Sequence, residues 1–409
     1  MKGSKERKIA PQPWMTAPQT RALIDALASA GIAARFVGGC VRDALLSRHI
    51  ADIDIATPAL PKEVMTALEK ADIKAVPTGI EHGTVTAVVS VPEPPRHFEI
   101  TTLRRDVETY GRHARVAFDA DWAEDAARRD FTINAIYLDP DGRLHDPVGG
   151  LADLEAHRVR FVGEPAQRIA EDVLRVLRYY RFEARFGSGG GDAAARAACR
   201  AAIPLLPKLS AERVAQELLR LLAVPNPAPA LRMMEADGVL AAILPEATRI
   251  DRLQRLIGIE PEPDALRRLA ALIEADAAGA AAIAERLRFS NEQRDRLVGL
   301  SQPWPLDPNG DARAQRRTLF RLGTERYRDL ALLLAANGAL DEVRLGEWLA
   351  FAASWPLPRF PLKGRDVTAL GIPAGKRVGE LLAAVQTWWE EGDFTADRAA
   401  CLKRLKEML

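Results

Sequence analysis

Cysteine is scarce in this chain: Cys40, Cys199 and Cys401 are the only three among 409 residues, and none forms a CxxC pair. Their separation excludes a disulfide framework and a cysteine-built zinc site, and it fits a reducing compartment, expected to be the cytoplasm. Histidine is confined as well. All six lie between His49 and His157, so nothing beyond His157 can supply a His-Asp metal domain. An excess of one charge is also missing: 57 Lys and Arg face 56 Asp and Glu, so a nucleic-acid partner would have to meet a local basic patch. No stretch approaches the ~20 apolar residues of a membrane span, and no membrane partner is expected. The opening MKGSKERKIAPQPWM is basic but lacks an apolar core, so residues 1–20 are expected to form a solvated N-terminal arm rather than a secretory signal.

What is present is the balance of a soluble globular protein, 48% hydrophobic and 28% charged, long enough for about two to four domains of roughly 100–200 residues each. From Ala34 to about Val162 short β-branched runs alternate with Gly, Pro and Asp turns: RFVGG, ADIDIA, GTVTAVVSV, HFEITTL, FTINAIYL and RVRFVG. These are expected strands, flanked by helices such as TRALIDALASAG and PKEVMTALEKAD, the second opening on proline. After about Glu164 helical spacing takes over to Leu409, interrupted at GSGGGD, VPNPAPA, IEPEPD and SQPWPLDPNGD. Those interruptions mark loops between helical units, and no internal repeat is visible.

Several motifs could carry chemistry. In RFVGGCVRDALL two glycines stand between a strand and a helix, so Gly38 and Gly39 let backbone approach a phosphate, with Arg42 adding positive potential; alternatively the turn is plain geometry. In ADIDIAT the strand period of two puts Asp52 and Asp54 on one face and Ile53 and Ile55 on the other. Two repelling carboxylates held side by side suit Mg²⁺, and two such metals can activate a hydroxyl and stabilise leaving pyrophosphate; the alternative is an exposed acidic pair. Glu99, on the strand HFEITTL, either completes this catalytic group or pairs with an arginine on the surface. In RRDFTINAIYL, Arg129 can bind triphosphate oxygens and Asp130 a ribose hydroxyl; alternatively Asp130 caps a helix and Asn134 bonds nearby backbone. RIAEDVLRVLRYYRFEARF reads as one helix on which Asp172 and Arg175 are neighbours. Arg178 and Arg181 drift round it, either to phosphates or RNA or onto a solvated face.

Together GGCVRD, DID, RRDFTINA, DPVGGLADL, EDVLR and SAERVAQEL, in this order, resemble the class II tRNA nucleotidyltransferases, the CCA-adding enzymes, and their relatives the bacterial poly(A) polymerases. The resemblance covers Ala34 to Leu222 by motif and the remainder by helical character. It implies an α+β fold with a polymerase-β-like nucleotidyltransferase head containing a mixed sheet, followed by all-α parts. The expected boundaries are a head at 21–162, a nucleotide-selecting, RNA-binding neck at 163–224, a body at 225–355 and a tRNA-binding tail at 356–409. It also implies Mg²⁺ on Asp52 and Asp54, nucleotide contacts from Gly39, Arg42, Arg129, Asp172, Arg175, Arg178 and Arg181, and tRNA, CTP and ATP as partners.

In the resembled family the acid and arginine of EDxxR choose the base. Cytosine and adenine both present an amino donor beside a ring-nitrogen acceptor, whereas uracil and guanine present a carbonyl beside a ring N–H. An acceptor from Asp172 with a donor from Arg175 suits the first pair and clashes with the second. The resemblance further implies that the segment from Arg104 to Arg115 takes part in the change from C to A. VPTGIEHGTVTAVV after the DID strand looks like CCA-adding members, and no GRRF-type segment of poly(A) polymerases stands there. The expectation is therefore C, C and A addition to the tRNA 3′ end. The alternatives are poly(A) synthesis, a partial CC- or A-adding activity, or a non-catalytic RNA-binding protein of the same fold. Oligomeric state is not written in any of these patterns.

Overall fold

The computed structural model describes residues 7–409 except 111, 112, 119, 303–305 and 309, and of 106–110 and 113–116 the backbone alone. The chain divides into two compact units, Met1–Pro245 and Glu246–Leu409. The boundary falls inside the segment expected as the body.

In the first unit the strands β1 (Arg35–Val37), β2 (Ile53–Thr57), β3 (Lys74–Gly79), β4 (Thr84–Val89) and β5 (Arg96–Thr102) precede a separate hairpin of β6 (Arg105–Tyr110) and β7 (His113–Ala117). With β8 (Tyr137–Leu138) and β9 (Leu144–His145) the first five strands form a seven-stranded mixed sheet in the order β3-β4-β5-β2-β1-β8-β9. β2 and β5 run parallel; the other neighbours are antiparallel.

The alternation expected of these strands is what buries them. Val85, Ala87 and Val89 on β4 face inward, as do Ile53 and Ile55 on β2 and Phe98 and Ile100 on β5. Each Val, Ile or Phe side chain among them contributes about 1.5–3 kcal/mol on burial. A slip of one residue would bury Asp54 and Glu99 instead, so the core fixes which face the acids take.

Around the sheet run α1 (Pro13–Thr16), α2 (Pro18–Ser29), α3 (Gly39–Leu45), α4 (Pro61–Lys70), α5 (Trp122–Ala127) and α6 (Gly150–Glu155). Then follow α7 (Pro165–Glu171), α8 (Arg175–Phe186), α9 (Ala193–Ala201), α10 (Ala211–Leu222), α11 (Ala228–Ala236) and α12 (Val239–Ile243). α5 starts with a full capping box: Asp121 accepts from the Ala123 and Glu124 amides, and Glu124 accepts from the Asp121 amide. Such caps contribute about 1 kcal/mol. On α8, Tyr179 and Phe182 join Phe131 and Phe161 in one aromatic cluster, with Phe131 and Phe182 centroids 4.7 Å apart. That cluster anchors α8 to the segment following Arg128-Arg129-Asp130.

Three expectations are corrected. FTINAIYL is not one strand: Thr132–Asn134 forms a 3₁₀ turn and only Tyr137–Leu138 enters the sheet. Locally bonding side chains compete with the ladder there, since Asn134 Nδ2 and the Phe131 amide both donate to Asp130 Oδ1. RVRFVG supplies a single bridge, Phe161 to Phe131. The expected solvated arm is solvated only in part: residues 7–13 are mostly exposed although Lys8 bridges to Arg143, and Trp14 is buried edge-on to Phe36 with centroids 4.8 Å apart. Residues 1–6 lie outside the described residues. The cause is the apolar content of Ile9, Trp14 and Met15, which a basic opening masks.

The second unit contains no strand among its described residues. Its helices run from Ile250–Ile259 to Arg398–Glu407, and IEPEPD falls between Ile250–Ile259 and Ala265–Leu272 as expected. SQPWPLDPNGD separates Asn291–Ser301 from Ala312–Leu322, partly outside the described residues. A C-terminal core of Leu362, Val367, Leu381, Val385, Trp389, Cys401 and Leu405 closes the chain. No helix among the described residues is long and apolar enough to cross a membrane.

Candidate active site

Gly38 has φ +73° and ψ −126° at the junction of β1 and α3, a backbone conformation that side chains other than hydrogen strain. Its position is also a meeting point. A methyl group there would lie 3.7 Å from Asp54 Oδ2 and 3.7 Å from Arg129 Nη1. The glycine turn, the acidic strand and the RRD segment therefore converge, as the motif order suggested.

Asp54 is partly buried on β2, opposite Glu99 in the parallel register of β5, and Asp52 is exposed just before the strand begins. Burial, then the charges of Glu99 and Asp52, push the Asp54 carboxyl up to about 6, against the pull of Arg129 and Arg42. Among the described residues Asp52, Asp54 and Glu99 make no side-chain hydrogen bond or ion pair. No three acid, His or Cys side chains form a complete cage among the described residues. Mg²⁺ does not ask for one, because it commonly takes one or two carboxylates and completes its shell with water and substrate phosphates. A carboxyl whose proton affinity is raised by burial and two neighbouring acids fits a divalent cation, which would reverse that repulsion.

Arg42 is buried and held from two sides: Asn134 Oδ1 accepts at 2.5 Å, and both Asp43 oxygens accept at 3.0 and 3.1 Å. Arg129 donates through Nε and Nη2 to Asp125 Oδ2 and directs Nη1 toward the glycine turn, with the Asn134 carbonyl 3.4 Å away. Asp125 is the residue that sequence reasoning missed. It is buried and accepts from Arg128, Arg129 and the Tyr137 hydroxyl. Burial opposes its charge, but the two arginines prevail and hold its carboxyl below the usual range. The available signal was an acid three and four residues before an Arg-Arg pair at a helix end. Asp125→Ala is expected to leave both arginines without their carboxylate and to destabilise the unit by about 3–5 kcal/mol. Chemical denaturation measures this; a loss under 1 kcal/mol would refute the anchoring role.

Asp130 caps no α-helix, and its carboxylate is engaged within the chain. Its two oxygens take the Phe131 amide, Asn134 Nδ2, and Arg178 Nε and Nη2 at 3.0 and 2.5 Å, which fills its acceptor capacity. Burial would raise its carboxyl, yet Arg178 and these hydrogen bonds bring it to about 2. Asp130 thus positions Arg178 and Asn134.

The helix expected through EDVLR is broken. Asp172 is the extended C-cap residue of α7 and Arg175 is the first residue of α8. The break comes from Asp172 itself, whose Oδ1 accepts the Leu174 amide at 3.2 Å while Oδ2 accepts Arg213 Nη2 at 2.6 Å. Asp172 and Arg175 remain adjacent, because the Arg175 amide donates to the Asp172 carbonyl. Arg175 Nη1 is steadied by Glu171 Oε2 at 2.5 Å and the Arg168 carbonyl at 2.8 Å. Arg178 and Arg181 do not splay onto an open solvated face. Arg178 pairs with Asp130, and Arg181 Nε donates to buried Glu217 at 2.6 Å. Arg178 also feels the charge of Asp172, so it links the Asp172 junction to Asp130. Arg213 and Glu217, both in SAERVAQEL, explain what that motif does. Their partners lie tens of residues away, so spacing could not reveal them.

For the segment Arg104 to Arg115, Arg104 donates to the His82 carbonyl, and 105–110 and 113–115 fall on the paired strands β6 and β7, a pairing not expected beforehand. The side chains of 106–116 lie outside the described residues.

A phosphate-compatible glycine turn against Asp54 and Glu99 on paired strands of a mixed sheet, in one unit with the adjacent Asp172 and Arg175, is the arrangement expected of a nucleotidyltransferase. The family model of the poly A polymerase head domain matches residues 34–160, and one described as a probable RNA and SrmB-binding site of polymerase A matches 192–250. The mitochondrial CCA tRNA nucleotidyltransferase 1 of Danio rerio is 32% identical over 392 residues, covering 91% of this chain and 87% of its own. A CCA-adding enzyme of Streptococcus gordonii is 41% identical over 222 residues, 53% of each chain. The crystal structure of the Bacillus stearothermophilus CCA-adding enzyme with CTP superposes with a TM-score of 0.78 at 30% identity, covering 96% of this chain and 98% of that one. The chain belongs to the CCA tRNA nucleotidyltransferase family, an enzyme family that generally uses divalent metals.

Proposed function

We propose that this protein adds C, C and A in turn to the 3′ end of tRNA, using CTP and ATP, releasing pyrophosphate and working with Mg²⁺ at Asp52 and Asp54. The observation that carries this reading is the convergence of Asp54 and Arg129 on Gly38, in the same unit as Asp172 and Arg175, which the Arg175 amide keeps adjacent. Bound there, Mg²⁺ supplies Lewis-acid activation of the attacking hydroxyl and charge neutralisation of the leaving pyrophosphate. The chain's own groups do the remaining work. Backbone at Gly38 and Gly39 approaches the phosphates, Arg42 and Arg129 hold their oxygens, and Glu99 keeps the local field negative for the cation. Asp172 accepts from the base amino group, and Arg175 donates to the ring nitrogen.

The four-part division into head 21–162, neck 163–224, body 225–355 and tail 356–409 is part of the same proposal; the tail holds its own apolar core, against which Phe320 of the body also packs. There Lys363, Arg365, Lys403 and Lys406 are exposed and suit phosphate contacts with the tRNA body. Cytoplasmic placement is supported by three buried, unpaired cysteines.

Incubating the purified protein with Mg²⁺, CTP, ATP and tRNA lacking its terminal CCA, then sequencing the product, tests the function. Restored CCA is the expected product. A long A tail would identify a poly(A) polymerase, arrest after CC a partial enzyme, and no extension a binding protein of this fold.

A further inference from the structure

Asn134 closes the 3₁₀ turn Thr132–Asn134, and its side-chain amide spans two opposite charges. Oδ1 accepts from Arg42 Nη1 at 2.5 Å, and Nδ2 donates to Asp130 Oδ1 at 3.0 Å. A guanidinium can only donate and a carboxylate can only accept, so these partners fix which end of the amide faces which. The bonds continue beyond Asp130, whose Oδ2 accepts from Arg178 Nε and Nη2 at 3.0 and 2.5 Å. Arg42, Asn134, Asp130 and Arg178 thus form one unbroken run of hydrogen bonds, each with a charged group at one end or both.

The two ends of the run stand at different places. Arg42 lies on α3, which starts at the glycine turn. Arg178 lies on α8, whose first residue is Arg175, and it feels the charge of Asp172. Both guanidinium groups sit against the Phe182 ring, 5.5 and 5.6 Å from its centroid. The charge of Asp130 favours both of them, and Asn134 is the bonded link between it and Arg42. No other side chain of this shape serves: aspartate would turn a second negative charge on Asp130, and leucine would deprive Arg42 and Asp130 of a partner each.

Hydrogen bonds in such a run polarise one another, so a change at one end alters the other. A triphosphate that draws Arg42 toward its oxygens changes the restraint on Arg178. A fitting base acts in the opposite direction, because coupling between two sites is reciprocal. We propose that Asn134 is a positioning residue that couples the grip on the triphosphate to base choice at Asp172 and Arg175. The inference rests on the nucleotidyltransferase reading above.

The test uses full-length protein carrying Asn134→Leu, which removes both polar ends of the amide with little change of shape. Kd for CTP and for UTP, each with Mg²⁺, is measured beside Kd for tRNA lacking CCA. The preference for CTP over UTP is expected to fall about tenfold, inside the roughly 5–150-fold span of such couplings, while tRNA affinity stays near wild type. A residue that served the phosphates alone would weaken CTP and UTP equally, and an unchanged ratio would overturn the proposal. Loss of tRNA affinity together with both nucleotides would overturn it too, as the mark of a merely structural role. Should Asn134→Leu melt early, the exchange of Asp130→Asn with Asn134→Asp decides, since it keeps one carboxylate and one amide between the two arginines. A preference restored at least about fivefold over Asn134→Asp alone supports the relay, and an exchange no better than that single variant overturns it. Wild-type protein that prefers CTP in binding yet extends no tRNA would sink the transferase reading while leaving this test intact.

Discussion

Asp54→Asn is expected to lower nucleotide transfer by about a thousandfold or more, the several kcal/mol that metal assistance supplies, while tRNA affinity stays near wild type. Asp52→Asn should fall in the same direction. The same substitution makes an opposite prediction for stability. The Asp54 carboxyl rises from 3.8 to about 6 through burial and its acidic neighbours, so the folded state binds its proton more tightly than the unfolded state. That contribution is fully present below about pH 4 and is lost as pH rises through 6, up to roughly 2–3 kcal/mol. In chelator at pH 7, Asp54→Asn should therefore melt later than wild type, and the difference should vanish below pH 4. Added Mg²⁺ should stabilise wild type and leave the variant unmoved. A variant that transfers normally, or is less stable than wild type in chelator at neutral pH, would contradict the metal reading.

Asp172→Ala is expected to relax base choice. The carboxylate is clamped by Arg213 at 2.6 Å and by the Leu174 amide at 3.2 Å, so it offers an acceptor fixed in place rather than a mobile charge. Removing it abolishes the clash with uracil and guanine carbonyls. A mismatched buried polar pair costs about 1–3 kcal/mol, so UTP and GTP should gain on CTP and ATP by roughly one to two powers of ten. Arg175→Ala should weaken CTP and ATP together, because it deletes the donor both share. The readout is the set of four kcat/KM values in each variant. Equal loss for all four in Asp172→Ala would mean that the residue only holds the junction of α7 and α8.

How far the site could be read from sequence depends on the range of the contacts involved. The acidic strand was legible because Ile53 and Ile55 alternate with Asp52 and Asp54, and burial of the isoleucines dictates the face. The glycine turn was legible for a similar local reason, although only the structure shows Asp54 and Arg129 meeting at Gly38. The break at Asp172 was hidden, since RIAEDVLRVLRYY carries neither Gly nor Pro and keeps helical spacing throughout. A carboxylate that accepts the Leu174 amide and an arginine on α10 overrules that propensity. The intramolecular partner of Asp130 was hidden because Arg178 lies 48 residues further along the chain. Asp125 was accessible at helical spacing and was passed over; Arg213 and Glu217 were not accessible to any local pattern.

The central claim is that one site, reading bases with Asp172 and Arg175, performs all three additions and then stops. Extension of a single tRNA lacking CCA, given CTP alone and then ATP, measures this directly by counting nucleotides. CTP alone should add two residues, ATP should then add one, and UTP or GTP should add none under the same conditions. Continued addition of A beyond the first, or addition of C beyond the second at comparable rate, would contradict the account.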